Sequence, residues 1–140
     1  SPYIDVSQKN KLSQNKQAGP RKKPERVEGT LSCELPKLLV KKNDIHITSK
    51  RNFDCFQDTE LDMLLKRTLN VKNIIICGVN TDTCVYGTTF GASNRGYNPI
   101  VIECCTGSMR GEDQHQTALK IMSQSIAWVM KKEEILNKLN

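Results

Sequence analysis

Asn73-Ile74-Ile75-Ile76-Cys77-Gly78-Val79-Asn80-Thr81-Asp82-Thr83-Cys84-Val85 is the stretch that decides how this chain is read. Its first half is short, β-branched and closed by a glycine, the pattern of a buried strand. Its continuation, Tyr86-Gly87-Thr88-Thr89-Phe90-Gly91-Ala92, predicts a helix of small residues that can pack close to a sheet. Strand, tight turn and helix thus deliver Cys84 into a first helical turn. Backbone N–H groups there lack intrahelical partners and the helix dipole is positive, which suits a nucleophilic cysteine.

Working outward, Ile45-His46-Ile47-Thr48 reads as a strand, with His46 on a strand face. Thr59 caps a helix with Asp62 three residues on, and Leu61, Leu64, Leu65 and Leu69 follow at helical spacing up to Asn70. The cysteine helix runs from about Asp82 to Asn94, with Gly96 as its C-terminal cap. Ile100-Val101-Ile102-Glu103 is a further strand. Glu112-Asp113 opens a helix whose stripe is Ala118, Leu119, Met122 and Ile126. Ala127 to Met130 forms a last short strand, and Glu133 to Leu139 a final helix. Alternating helices and doubly apolar strands predict a three-layer αβα domain with a mostly parallel sheet covered on both sides.

At 140 residues the chain holds one domain at most. Residues 1–26 carry seven basic against two acidic side chains, a net of +5, which leaves +1 for the remainder. We therefore read 1–28 as a basic, flexible N-terminal segment and 29–140 as the folded, partial domain. Arg21-Lys22-Lys23-Pro24-Glu25-Arg26 has no interleaved aromatic platform, so a solvated arm is expected rather than a nucleic-acid surface. No apolar run spans a bilayer and no signal-peptide core opens the chain, so no membrane partner and a cytoplasmic location are expected. The six cysteines (Cys33, Cys55, Cys77, Cys84, Cys104 and Cys105) include no Cys-x-x-Cys and read as free thiols. His46 and His115 have no ligand spacing to any of them, so no metal site is expected.

Ligands in open parallel sheets bind beyond the carboxyl ends of strands. Lys50 follows one such end and Cys84 another. A lysine beside a helix-start cysteine stabilises anionic intermediates. On physics alone the pair is a candidate, since strand-end lysines are common and five other cysteines compete.

Ser49-Lys50, Phe53-Asp54-Cys55-Phe56 and Thr59-Glu60-Leu61-Asp62 resemble the lysine segment of the isochorismatase-like cysteine hydrolases. Ile76-Cys77-Gly78-Val79-Asn80-Thr81-Asp82-Thr83-Cys84-Val85 resembles their nucleophile segment, and Thr88, Ala92, Gly96-Tyr97, Glu103 and Ala118-Leu119 continue the likeness. It covers about Gly29 to Leu139. The family includes nicotinamidases, isochorismatases, and N-carbamoylsarcosine, ureidoacrylate and biuret amidases. Most use an Asp–Lys–Cys triad to hydrolyse a C–N bond through a thioester. The resemblance implies Cys84 as nucleophile, Lys50 as the triad cation and a cis peptide between Val79 and Asn80. It further implies an oxyanion hole from the Asn80 and Cys84 backbone N–H groups, and Phe56 and Tyr86 as substrate-pocket residues.

The departures from the family pattern shape the expectation. Its triad aspartate ends a first strand, and Asp5 has the wrong spacing for that part. The first strand is therefore expected to be absent, leaving neighbouring strand edges unpaired. Nicotinamidases of the family hold an ion through an Asp and two His, for which this chain has no matching set. Isochorismatases proper often lack the cysteine. The resemblance thus implies a metal-free, cofactor-free amidase on a small amide or ureido compound, in a homo-oligomer. The alternative is a truncated or inactive relative acting through oligomer contacts.

Overall fold

The computed structural model describes residues 31 and 35–139. The basic segment 1–28 and Cys33 lie outside the described residues. The chain divides after Asp44 into two units. The first contributes a 3-10 turn, Lys37–Leu39, and a tighter turn in which the Lys41 N–H donates to the Asp44 carboxylate.

The second unit, residues 45–140, carries the sheet. Strands β1 (Asn73–Val79), β2 (Asn98–Gly107) and β3 (Trp128–Met130) are parallel and adjacent in the order β1-β2-β3. Helix α1 begins as Leu61–Met63 and widens into a π-helical turn over Leu64–Thr68. Helix α2 (Tyr86–Asn94) follows a π-helical turn at Thr81–Val85 and connects β1 to β2. Helix α3 (Glu112–Ser125) connects β2 to β3, and α4 (Lys132–Leu139) is the last described element. A helix between successive strands is the crossover that parallel pairing needs.

Register decides what the sheet buries. Ile76 pairs with Val101 and Val101 with Val129, so these three share a face. On that face Ile76, Val85, Ala92, Tyr97, Val101, Ala118, Leu119 and Met122 form the core together with Phe56. Ile102 points to the other face, where α4 packs on β2 with Ile135 as its one buried residue. Helices therefore stand on both faces, and the three-layer α/β expectation holds.

The second face is covered less than the sequence suggested. Ile75 is 47% and Trp128 54% exposed. The cause is length: α4 has eight residues, about 12 Å of helix, too little to cover three strands. Cys77, expected in a buried strand, is exposed for the same reason; partial desolvation beside the strand, followed by its neighbour Cys105, pushes its thiol up. All five described cysteines are free.

Three further expectations fail locally. Residues Ile45–Thr48 form no strand, and both Ile45 and His46 are exposed. A strand exists only when a neighbour takes its backbone N–H and C=O groups, and the described sheet contains only β1, β2 and β3. Leu69 is 49% exposed because the π-helical turn, closed by Leu69 N–H to the Leu64 carbonyl at 3.0 Å, rotates it off the Leu61 and Leu65 stripe. The N-cap of α1 is Glu60, while Thr59 accepts the Leu61 N–H at 3.4 Å and Asn70 ends the element with φ of 47°.

Candidate active site

The site is assembled where β1 runs out. The register slips between Ile76 and Gly78: β1 advances two residues while β2 advances from Val101 to Thr106. This bulge re-aims the chain at the end of the strand. Gly78 stands at φ of 126°, a conformation that other L-residues hold only with strain. The Val79–Asn80 peptide is cis. Asn80 is extended, and its carbonyl accepts the N–H groups of Thr83 and Val85, both at 3.1 Å. Tyr86 N–H closes the turn on the Thr81 carbonyl. Cys84 sits half-buried in this turn.

The turn is clamped by the segment that follows β2. Met109 N–H donates to Asn80 Oδ1 at 2.9 Å, and Ser108 Oγ donates to Asp82 Oδ1 at 2.7 Å. The Arg110 guanidinium pairs with Asp82 Oδ2. Burial pushes the Asp82 carboxyl up, but hydrogen bonds from Arg110 and Ser108 outweigh it and hold the group below the usual carboxylate range. Deeper in, Thr81 Oγ1 and His115 Nδ1 are 2.8 Å apart, with both side chains buried. Three successive residues of the turn are thereby tied to the β2–α3 segment.

Helical spacing then sorts the faces. Cys84 shares a face with Gly87, Thr88 and Gly91 at i+3, i+4 and i+7. The lysine segment lies on that same face. Phe53 backbone comes within 3.4 Å of where a Gly87 Cβ would stand, and Cys55 N–H donates to Thr88 Oγ1 at 3.1 Å. A Cβ on Gly91 would run into the Asp54 carboxylate, so only glycine lets this group so close. Asp54 in turn accepts the Phe56 N–H at 2.8 Å and pairs with Arg95 at 3.4 Å. Lys50, half-buried, stands three residues upstream of Phe53. Its neighbours hold the segment: Ser49 Oγ donates to Glu60 Oε2 and Arg51 to the Thr48 and Lys50 carbonyls. The Ser49 bond holds the Glu60 carboxyl below its ordinary value.

The two residues expected to shape a pocket are placed differently from each other. Phe56 is a core residue, stacked on Tyr97 at a centroid distance of 5.5 Å with the Arg95 guanidinium 5.0 Å from its ring. Tyr97 is in turn fixed by donating to Asp62 at 2.8 Å, and burial followed by that bond pushes its hydroxyl up to about 12. Tyr86 faces away from Cys84 by helical spacing and stacks on Phe90 at 6.5 Å. Together with Asp82, Gln114, Thr117, Ala118 and Ile121 it lines a cavity of about 200 Å³.

The histidines do not suit a shared ion. His115 is engaged with Thr81, His46 is exposed outside any regular element, and no three His, Cys, Asp or Glu side chains converge among the described residues. No described helix is long and apolar enough to cross a membrane. Reading the sequence missed the clamp of Ser108, Arg110 and His115. For His115 the signal was present, because positions 115, 118, 119 and 122 form one helical stripe.

Comparison with known proteins gives the following. The Isochorismatase domain family matches residues 5–134. The isochorismatase family protein YecD of Escherichia coli O157:H7 is 33% identical over 97 residues, which are 69% of this chain and 50% of that protein. The chain spans about half the length of the curated relatives it matches. Among solved structures, an isochorismatase-like hydrolase from Alkaliphilus metalliredigens is 27% identical with a TM-score of 0.75, over 81% of this chain and 61% of that one. The nicotinamidase of Staphylococcus aureus is 35% identical with a TM-score of 0.55, over 58% and 51%.

Proposed function

The chain belongs to the isochorismatase family, and from that premise we propose that it is a cysteine hydrolase of small amide or ureido compounds. Cys84 Sγ attacks the carbonyl carbon, and the carbonyl electron pair moves onto oxygen. The Asn80 and Cys84 backbone N–H groups receive that oxyanion, and the Lys50 ammonium adds positive charge beside it. Preorganised donors of this kind lower such barriers by several kcal/mol, roughly 3–4 for one donor. On collapse the C–N bond breaks, the thiol proton goes to the leaving nitrogen, and a Cys84 thioester remains. Water hydrolyses the thioester to the acid and restores the thiol.

One observation carries this reading: the segment bearing Lys50 lies along the helix face that bears Cys84. The amide-hydrolysing activity in the name of the Staphylococcus aureus structure supports the substrate class. Phe56 contributes by anchoring the lysine segment in the core, while Tyr86 borders the neighbouring cavity.

A second reading, a chain that holds the turn without turnover, has its own observation. Two carboxylates in the Cys84 turn and against its helix are already engaged, Asp82 with Ser108 and Arg110, Asp54 with Phe56 and Arg95. Neither is free to act as base for Cys84. Limiting iodoacetamide with peptide mapping tests the activated nucleophile: Cys84 is expected to carry the first adduct. Equal labelling of Cys84 and Cys55 would refute it.

A further inference from the structure

The clamp on the nucleophile turn is uneven in depth. The bonds from Met109, Ser108 and Arg110 lie at exposed or partly exposed positions, where water competes for the same groups. The Thr81–His115 bond is different, since Thr81 has no exposed surface and His115 is 6% exposed. A hydroxyl in that position has no water to fall back on, so losing its partner leaves it unsatisfied. Thr81 is also the residue that joins Asn80 to the Cys84 turn, and its carbonyl closes that turn on Tyr86. His115 comes from α3, whose Ala118, Leu119 and Met122 are locked in the core, so the ring is held by a rigid element.

We propose that His115 is a positioning residue: through the Thr81 hydroxyl it fixes the backbone that presents Cys84 and the Asn80 N–H. The inference rests on the nucleophilic role proposed for Cys84. It adds a residue on a different helix, one that touches no reacting atom. His115 acts through its hydrogen bond to Thr81 and transfers no proton to substrate.

The test uses the whole chain and reads Cys84 against Cys55 within one molecule. Iodoacetamide rate constants for both thiols are measured by peptide mapping in the wild type, His115→Leu, His115→Gln, Thr81→Val and the His115→Leu/Thr81→Val pair, with far-UV circular dichroism alongside. The Cys84 to Cys55 rate ratio is expected to fall on the order of tenfold in His115→Leu and in Thr81→Val. It is expected to fall no further in the pair, because both changes break one bond. His115→Gln, which keeps a polar side chain, is expected to recover part of the ratio. A ratio unchanged in both single variants overturns the proposal. So does a parallel rise of both thiols in His115→Leu, the mark of general loosening, if Thr81→Val keeps the wild-type ratio. Failure of the amidase reading is separate: it shows as no amide turnover by a wild type whose Cys84 ratio still depends on His115.

Discussion

The Cys84 turn and the lysine segment are both continuous sequence motifs, yet the protein builds them in different ways. The turn is the end of a strand: β1 is paired along its length with β2, and the bulge, Gly78 and the clamp from 108–115 determine where Cys84 stands. The lysine segment has no strand beneath it. It is held by side-chain bonds, Ser49 to Glu60, Cys55 N–H to Thr88, Asp54 to Phe56 and Arg95, and by Phe56 inserted in the core. One half of the site is fixed by backbone ladder and burial, the other by individual polar contacts and the single core anchor Phe56. Ladder and burial are cooperative, whereas exposed polar contacts contribute little each.

The comparison is broken most directly by truncating an isoleucine on each side. Ile76→Ala, in the core beneath the turn, is expected to cost about 2–4 kcal/mol of unfolding free energy in urea. Ile45→Ala, at a position 59% exposed, is expected to stay within about 0.5 kcal/mol. Similar losses from both would mean that the lysine segment rests on a strand after all.

A second change addresses the seam between the halves. Gly91→Ala places a methyl group against the Asp54 carboxylate and is expected to cost about 1–3 kcal/mol. The same substitution in an Asp54→Ala background is expected to cost much less, and a thermal-unfolding double-mutant cycle measures the difference. Additive losses would show that Gly91 and Asp54 do not meet.

Much of this was legible in the sequence, for identifiable reasons. Ile74-Ile75-Ile76 before Gly78, the small residues Gly87 to Ala92 and the stripe of Ala118, Leu119 and Met122 each encode an element through local pattern. The structure forms all three. Ile45-His46-Ile47-Thr48 has an equally good local pattern and forms no strand, because a strand is decided by its neighbour and not by its own residues. The π-helical turns at Leu64–Thr68 and Thr81–Val85 leave no such pattern, and the first displaced Leu69 from its expected face. The burial of His115 was encoded in its helical stripe, but the contacts of the clamp were illegible for a related reason. Ser108, Arg110 and His115 meet Thr81 and Asp82 only once the bulged end of β2 brings the following loop across.

A smaller effect sharpens the polar side of the turn. The Asp82 carboxyl is held below its ordinary value, so its contribution to stability is present above the unfolded carboxylate pKa, near 4. That contribution is lost as pH falls through the lower folded value. Because Arg110 is more than half exposed, the loss is expected to be about 1 kcal/mol or less. Asp82→Asn should flatten that acid limb in a pH series of urea midpoints, and an unchanged limb would remove Asp82 from the clamp. Smallest of all, Ser49→Ala is expected to alter stability by under about 0.5 kcal/mol, since its bond to Glu60 is exposed. A larger shift would show that the lysine segment depends on this single contact.

The central claim is that the turn presents Cys84 as a nucleophile toward an amide carbonyl. Incubation with a panel of small primary amides and ureido compounds, acid quenching and intact-mass analysis tests it most directly. The account predicts ammonia release and a trapped acyl adduct on the Cys84 peptide, labile to hydroxylamine and missing from Cys84→Ala. Ammonia release that persists in Cys84→Ala, or an acyl adduct on another cysteine, would contradict it.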